Sequence, residues 1–403
     1  MGEPGGRRRL LVNMPMNMDY AHYRGYEGKP IYEKIDGEMK WWDEEKGKFK
    51  KVSRKDELMW ERFALQNERT ASAFYSSNGS LISFYHYDPR AHLDNWKKPF
   101  EQNLIQTAHL SSFPLNLPAV GIKMYTALGY QPCDPKLRFP WHDYYSLCES
   151  GRIPVICHGS RNGMTTHDMP HYYDRQFPEI RIYNNKVKKI WFENTFISPH
   201  AWEPVLQNHP NLYLCLAHFG GDTFWDKRVN LSCDLYWEDL TCNDDPMNWI
   251  ACLLNLMKKY NNFYVDLSYF LFESSAIEFF KKALAFDPVV KERILFGTDW
   301  WMYTIKRPYK KGKGYLKYVK TMCQRILALN DKSLLNSIGV NDSRELLAYF
   351  MTINPMRFLQ IKQYAEKLEQ IYYRHKDVRR NGWRFELSDW INKVPEKIEE
   401  FYK

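Results

Sequence analysis

Seven short apolar runs, each followed by a longer amphipathic stretch, constrain this chain more than any other feature of its sequence. The runs are Leu10–Met16, Leu81–Tyr87, Ala119–Tyr125, Ile153–His158, Leu212–His218, Phe263–Leu267 and Ile294–Thr298. Most are near-continuously hydrophobic, as strands are when both faces of their sheet are covered. Helical patterns lie between them at Asp56–Ala73, Asp94–Ala108, Trp141–Glu149, Trp202–Asn208, Asn248–Lys259, Ser275–Phe286 and Gly314–Leu327. Strand then helix, repeated, predicts right-handed crossovers and a parallel sheet. Seven such units fit an α/β barrel better than a six-stranded open sheet.

The chain of 403 residues is 44% hydrophobic, enough for a large core. Barrels of this kind run past 250 residues as one domain with insertions. The expected organisation is a basic tail over 1–9, a barrel over 10–360 and a helical extension packed on it over 361–403. The barrel carries insertions at 23–55 and 161–194. The first insertion reads as a surface hairpin. The second follows a strand and carries His167 and His171, so it reads as a lid or substrate wall.

The formal charge of +9 is partly local, in Arg7–Arg9 and in Lys306, Arg307, Lys310, Lys311 and Lys313. Basic residues are not strung along one face as a nucleic-acid binder needs, so nucleic acid is not an expected partner. An anionic small molecule is compatible with the charge. No two of the eight cysteines form a CxxC pair, which leaves out the zinc-ribbon spacing. Cys157 and Cys215 lie in apolar runs and read as small packed hydrophobes. No apolar run reaches about 18 residues, and no continuous apolar stretch follows the basic N-terminus. A cytoplasmic setting without membrane association is the expectation.

Three of the strand ends carry ligand-type residues at the same relative point: His158-Gly159, His218-Phe219-Gly220-Gly221 and Thr298-Asp299. In a barrel the carboxyl ends of the strands share one mouth. Two imidazoles and a carboxylate converging there suit a divalent ion, zinc in the first place. Singly, each has a plainer reading, and Asp299 alone would serve as a helix cap. Lys123 sits in a strand near the predicted mouth, as a substrate contact or a paired buried lysine. Arg161, Trp300, Trp301, Tyr125 and Tyr130 are further candidates for substrate contact or wall.

These segments resemble the amidohydrolase superfamily, in particular the branch that includes aminocarboxymuconate-semialdehyde decarboxylase. Gly121–Tyr130 is similar to that branch's fourth strand and loop, Asp88-Pro89-Arg90 to the end of its third strand, and Asn354–Leu359 to its closing segment. The resemblance spans roughly Leu10 to Gln360. It implies that His158 binds metal, that His218 binds metal or acts on the substrate, and that Asp299 binds metal and moves a proton. It also implies a small-molecule substrate and admits a homodimer. The reaction it implies is metal-dependent hydrolysis of a C–N or C–O bond. Non-oxidative decarboxylation is the alternative, and Lys123 as a carbamate bridge between metals is a variant known among relatives.

The family's first strand carries a His-x-His pair, and no His-x-His occurs in this chain. In order, Leu10–Met16 corresponds to the second strand. The expected fold is therefore a TIM (β/α)8-type barrel lacking or replacing its first strand, with a C-terminal helical extension. Three accounts are open: the sequence starts downstream of the natural start, the chain is a degenerate member, or His22 or a residue from another loop or subunit compensates. The pair's absence also admits a barrel that has lost catalysis and acts as a binding protein.

Overall fold

The computed structural model describes residues 11–14, 32–35, 38–43, 48–51, 66–77, 81–89, 95–107, 118–135, 137, 139–161, 191–221, 249–268, 276–299 and 313–374. Ten strands lie within them: β1 (Leu11–Asn13), β2 (Tyr32–Ile35), β3 (Glu38–Asp43), β4 (Lys48–Lys51), β5 (Leu81–His86), β6 (Gly121–Met124), β7 (Val155–Ser160), β8 (Leu214–Gly220), β9 (Phe263–Asp266) and β10 (Ile294–Leu295). Seven form one sheet in the order β1-β5-β6-β7-β8-β9-β10, and every pairing in it is parallel. These are the seven apolar runs. Their spatial order is their order in the chain. A doubly wound sheet reverses order at a switch point. Here every crossover advances the same way, which is the topology of a TIM-type barrel wall. Among the described residues β1 pairs only with β5, and β10 only with β9.

The helices follow the sequence pattern with small shifts at their ends. They include 66–76, Trp141–Ser150, Trp249–Lys259, Ala276–Phe286 and Lys313–Leu327. The expected helix over Asp94–Ala108 is shorter, Lys98–Asn103 followed by a 3-10 turn at Ile105–Thr107. The insertion read as a hairpin holds one strand more: β2, β3 and β4 form an antiparallel sheet of three.

Side chains alternate between two cores. Ile122, Met124, Val155, Leu214, Leu216, Phe263, Val265 and Ile294 face the helices. Ile82, Phe84, Ile156, Cys215, Ala217, Tyr264 and Leu295 face the other way and pack with Phe358, Ile361, Tyr364 and Leu368. Each Val, Leu, Ile, Phe or Met side chain among them, once buried, contributes roughly 1.5–3 kcal/mol. Tyr364 donates its hydroxyl to the Pro118 carbonyl at 2.9 Å, and Gln363 its amide to the Gly151 carbonyl at 3.4 Å. Both carbonyls precede strands. The helix Ile361–Arg374 therefore lies at the amino end of the sheet, which leaves the carboxyl end for a site.

Asn354 pins this closing segment to β10. It is fully buried, and its amide donates to the carbonyls of Lys291 at 2.7 Å and Ile294 at 2.8 Å. Asn354→Leu keeps the volume and leaves two interior acceptors without their donor, so it is expected to destabilise by roughly 2–4 kcal/mol. Urea unfolding measures this, and a loss under about 0.5 kcal/mol, within the range of ordinary surface substitutions, would show the two bonds to be immaterial.

Candidate active site at the carboxyl rim

The alternation that builds the two cores also selects what points inward at the rim. On β7, His158 follows Ile156 by two residues and shares its face. On β9, Asp266 follows Tyr264; Gly297 and Asp299 lie beyond the end of β10, outside the period of the strand. Lys123 stands in register between His86 of β5 and Ile156 of β7.

His218 breaks this rule, and the break makes the site. Cys215 and Ala217 hold the inner face of β8, so strict alternation aims His218 outward at the helices. The pairing of β7 with β8 slips between His158↔Ala217 and Ser160↔Gly220, which inserts one extra residue into β8. A bulge of this kind re-aims a side chain. His218 and Phe219 take φ of 70° and 44°, and Gly220 and Gly221 follow at 81° and 90°. The first two are in the left-handed region that side chains rarely adopt. As a result the His218 ring lies 4.9 Å from that of His158, centroid to centroid, at 66°. Asp299 is left-handed as well, with φ 43°. Strain of this sort concentrates at functional sites.

Asp266 anchors the bulge. Its Oδ1 accepts the backbone N–H of His218 at 3.0 Å, the backbone N–H of Ser268 at 2.9 Å, and the Ser268 hydroxyl. Ser268 in turn meets His218: Nδ1 lies 2.9 Å from Ser268 Oγ and 3.3 Å from its carbonyl oxygen. Gly297 leaves room for this group, since a Cβ there would stand 2.8 Å from Ser268 Cβ and 3.2 Å from Asp266 Oδ1.

On the other side, Tyr125 packs on His158 with ring centroids 4.9 Å apart, and Lys123 Nζ lies 5.9 Å from the Tyr125 centroid. Tyr130, considered above as a wall, accepts the Tyr125 backbone N–H on its hydroxyl at 3.1 Å and so holds the loop. A continuous line therefore crosses four strand ends: Lys123, Tyr125, His158, His218, Ser268, Asp266.

Lys123 is 6% exposed. Among the described residues no carboxylate forms an ion pair with it. Its charge is felt by two thiols, Cys157 and Cys215, both pushed up by burial and drawn slightly back by the ammonium. Arg161 stands differently. Its Nε is 3.2 Å from Glu193 Oε2, and its guanidinium lies 5.6 Å from the Trp249 ring, so a carboxylate already matches its charge.

Trp300, Trp301, His22, His167 and His171 lie outside the described residues. Among those described, no group of three or more His, Cys, Asp or Glu side chains is gathered to hold a metal ion. Asp266 and Ser268 are site residues absent from the sequence-predicted set: Asp266 lies on the inward face of β9, and Ser268 beyond its end. The signal available for them was an acidic residue inside the apolar run Phe263–Leu267.

A parallel α/β barrel with imidazoles and carboxylates at its carboxyl rim is an architecture that many enzymes share. The chain belongs to the amidohydrolase family: the family's sequence profile matches residues 116–361. No curated protein sequence matches the chain. Among solved structures it is similar to the apo IDCase of Metarhizium anisopliae, at 14% identity and a TM-score of 0.45, over 75% of this chain and 69% of that one. It is also similar to a manganese complex of 5-carboxyvanillate decarboxylase from Novosphingobium aromaticivorans, at 14% identity and 0.39, over 77% and 72%. A zinc-bound amidohydrolase from Burkholderia multivorans aligns at 10% identity and 0.36, over 77% and 80%. No helix among the described residues is long and apolar enough to cross a membrane.

Proposed function

We propose that this chain is a divalent-metal-dependent hydrolase of a small carboxylate-bearing molecule, acting at the carboxyl rim. The observation that carries the reading is the unbroken line from the Lys123 ammonium through Tyr125 and His158 to His218. Two imidazoles in contact offer nitrogen donors of the type a divalent ion takes. Of the two, His158 would hold the ion together with Asp299, two protein ligands where a catalytic zinc takes three. The chemistry the ion supplies is the acidification of water to roughly neutral pKa.

The chain's own residues do the rest. Lys123 binds the substrate carboxylate at the floor of the mouth, where a buried ammonium gains most from an opposite charge. Tyr125 gives the substrate a flat apolar wall. Asp299 takes the proton of the attacking water and passes it to the leaving group. His218, once protonated, donates to the carbonyl oxygen, where charge develops.

The test uses the purified full chain with zinc or manganese added. It is offered lactones, esters and amides that carry a free carboxylate, their methyl-ester counterparts, and aromatic acids assayed for release of carbon dioxide. Hydrolysis of the carboxylates, lost on chelation and restored by metal, is expected. Lys123→Met should raise KM for them about 10- to 100-fold, the equivalent of one charge-assisted hydrogen bond. Carbon dioxide release alone would replace hydrolysis by decarboxylation. No turnover of any class would leave the binding-protein reading in its place.

A further inference from the structure

We propose that Asp266 and Ser268 are positioning residues that fix the tautomer of His218, with its proton on Nδ1 and its lone pair on Nε2. The inference rests on the reading of His218 as a group that meets substrate. Three donors converge on Asp266 Oδ1: the N–H of His218, the N–H of Ser268 and the Ser268 hydroxyl. A carboxylate oxygen only accepts. A serine hydroxyl has one hydrogen, and here it points at Asp266. Ser268 Oγ can therefore only accept from His218 Nδ1 at 2.9 Å. The second oxygen near Nδ1, the Ser268 carbonyl at 3.3 Å, also only accepts. Both partners being acceptors, Nδ1 must be the donor, and in the neutral ring Nε2 is bare.

This sharpens what His218 does. A neutral ring with a bare Nε2 takes a proton or holds a cation. It donates to an oxyanion only after it has been protonated. The same relay also fixes the ring's place, because Asp266 holds the strained His218 backbone with the oxygen that orients Ser268. Partners that orient an active imidazole in this way are worth about 10- to 100-fold in metal affinity or activity.

The experiment is a long-range proton–nitrogen correlation spectrum of the full chain, labelled with nitrogen-15 histidine. It is recorded at a pH where the ring is neutral, with His218 assigned by its loss in His218→Gln. The wild type should show a protonated Nδ1 and an unprotonated Nε2. Ser268→Ala leaves only the longer carbonyl contact, so signals of the Nε2–H form should appear. Ser268→Thr restores the hydroxyl and should restore the wild-type pattern, which a merely structural loss at the rim would not reproduce. An Nε2–H ring in the wild type, or a Ser268→Ala spectrum identical to wild type, overturns the proposal. Unchanged turnover in His218→Gln beside the expected spectrum would instead sink the catalytic role and leave the relay standing.

Discussion

Gly121→Ala is expected to destabilise the protein by at least about 3 kcal/mol, more than overpacking usually does. A Cβ at this position would collide with the Pro154 carbonyl oxygen and would stand 2.6 Å from the Phe84 ring and 2.8 Å from Pro154 Cγ. None of these can give way cheaply. The Pro154 oxygen accepts the Ile122 N–H at 2.9 Å, so moving it opens the seam between β6 and β7. Phe84 is fully buried in the inner core. With a net stability of about 5–15 kcal/mol for a typical domain, a loss of that size shifts the urea midpoint strongly or abolishes folding. Gly339→Ala is the control. Its φ of 67° strains any side chain, at roughly 1–2 kcal/mol, but the nearest atom to an added Cβ is Lys291 Nζ at 3.7 Å. Equal losses at the two positions would show that close approach of strands does not matter at Gly121.

The same seam explains what was legible in the sequence. Each of the seven apolar runs became a strand of the large sheet, because a strand covered on both faces advertises itself by unbroken hydrophobicity. Their sequential order followed from the helices between them. The rim was legible as three ligand-type residues at equivalent strand ends, and the family resemblance added their roles. His158 obeys the two-residue period and would have been placed inward from pattern alone. His218 does not: with Ala217 inward, the period sends it outward, and only a bulge with four successive positive φ values turns it back. The glycines at 220 and 221 hint at such a turn without fixing its size. Ser268 lies beyond the end of β9, where no period applies, and its role depends on Asp266, a single polar residue inside an apolar run. Lys123 was ambiguous between a paired core lysine and a substrate contact. The sequence holds no information on which carboxylate, if any, folding brings near.

Asp299→Asn is expected to lower turnover by roughly 10²- to 10⁴-fold, the range of a lost general acid–base group, and His158→Asn to lower it through loss of a metal ligand. The two substitutions are chosen to separate chemistry from packing. His158 is 4% exposed and lies between the rings of Tyr125 and His218. Alanine there would open a cavity and confound the result. Asparagine keeps a polar group of intermediate size and removes the imidazole. At 299, asparagine preserves shape and tolerates the left-handed backbone, φ 43°, better than other uncharged residues. It removes only the negative charge and the capacity to accept a proton. Both variants should therefore keep the wild-type circular dichroism and a melting temperature within a few degrees. They should also diverge in metal retention, since an amide oxygen still offers a weak ligand while a shortened side chain at 158 does not reach. Full turnover in both folded variants would reject the assignment of His158 and Asp299 to the metal and the proton.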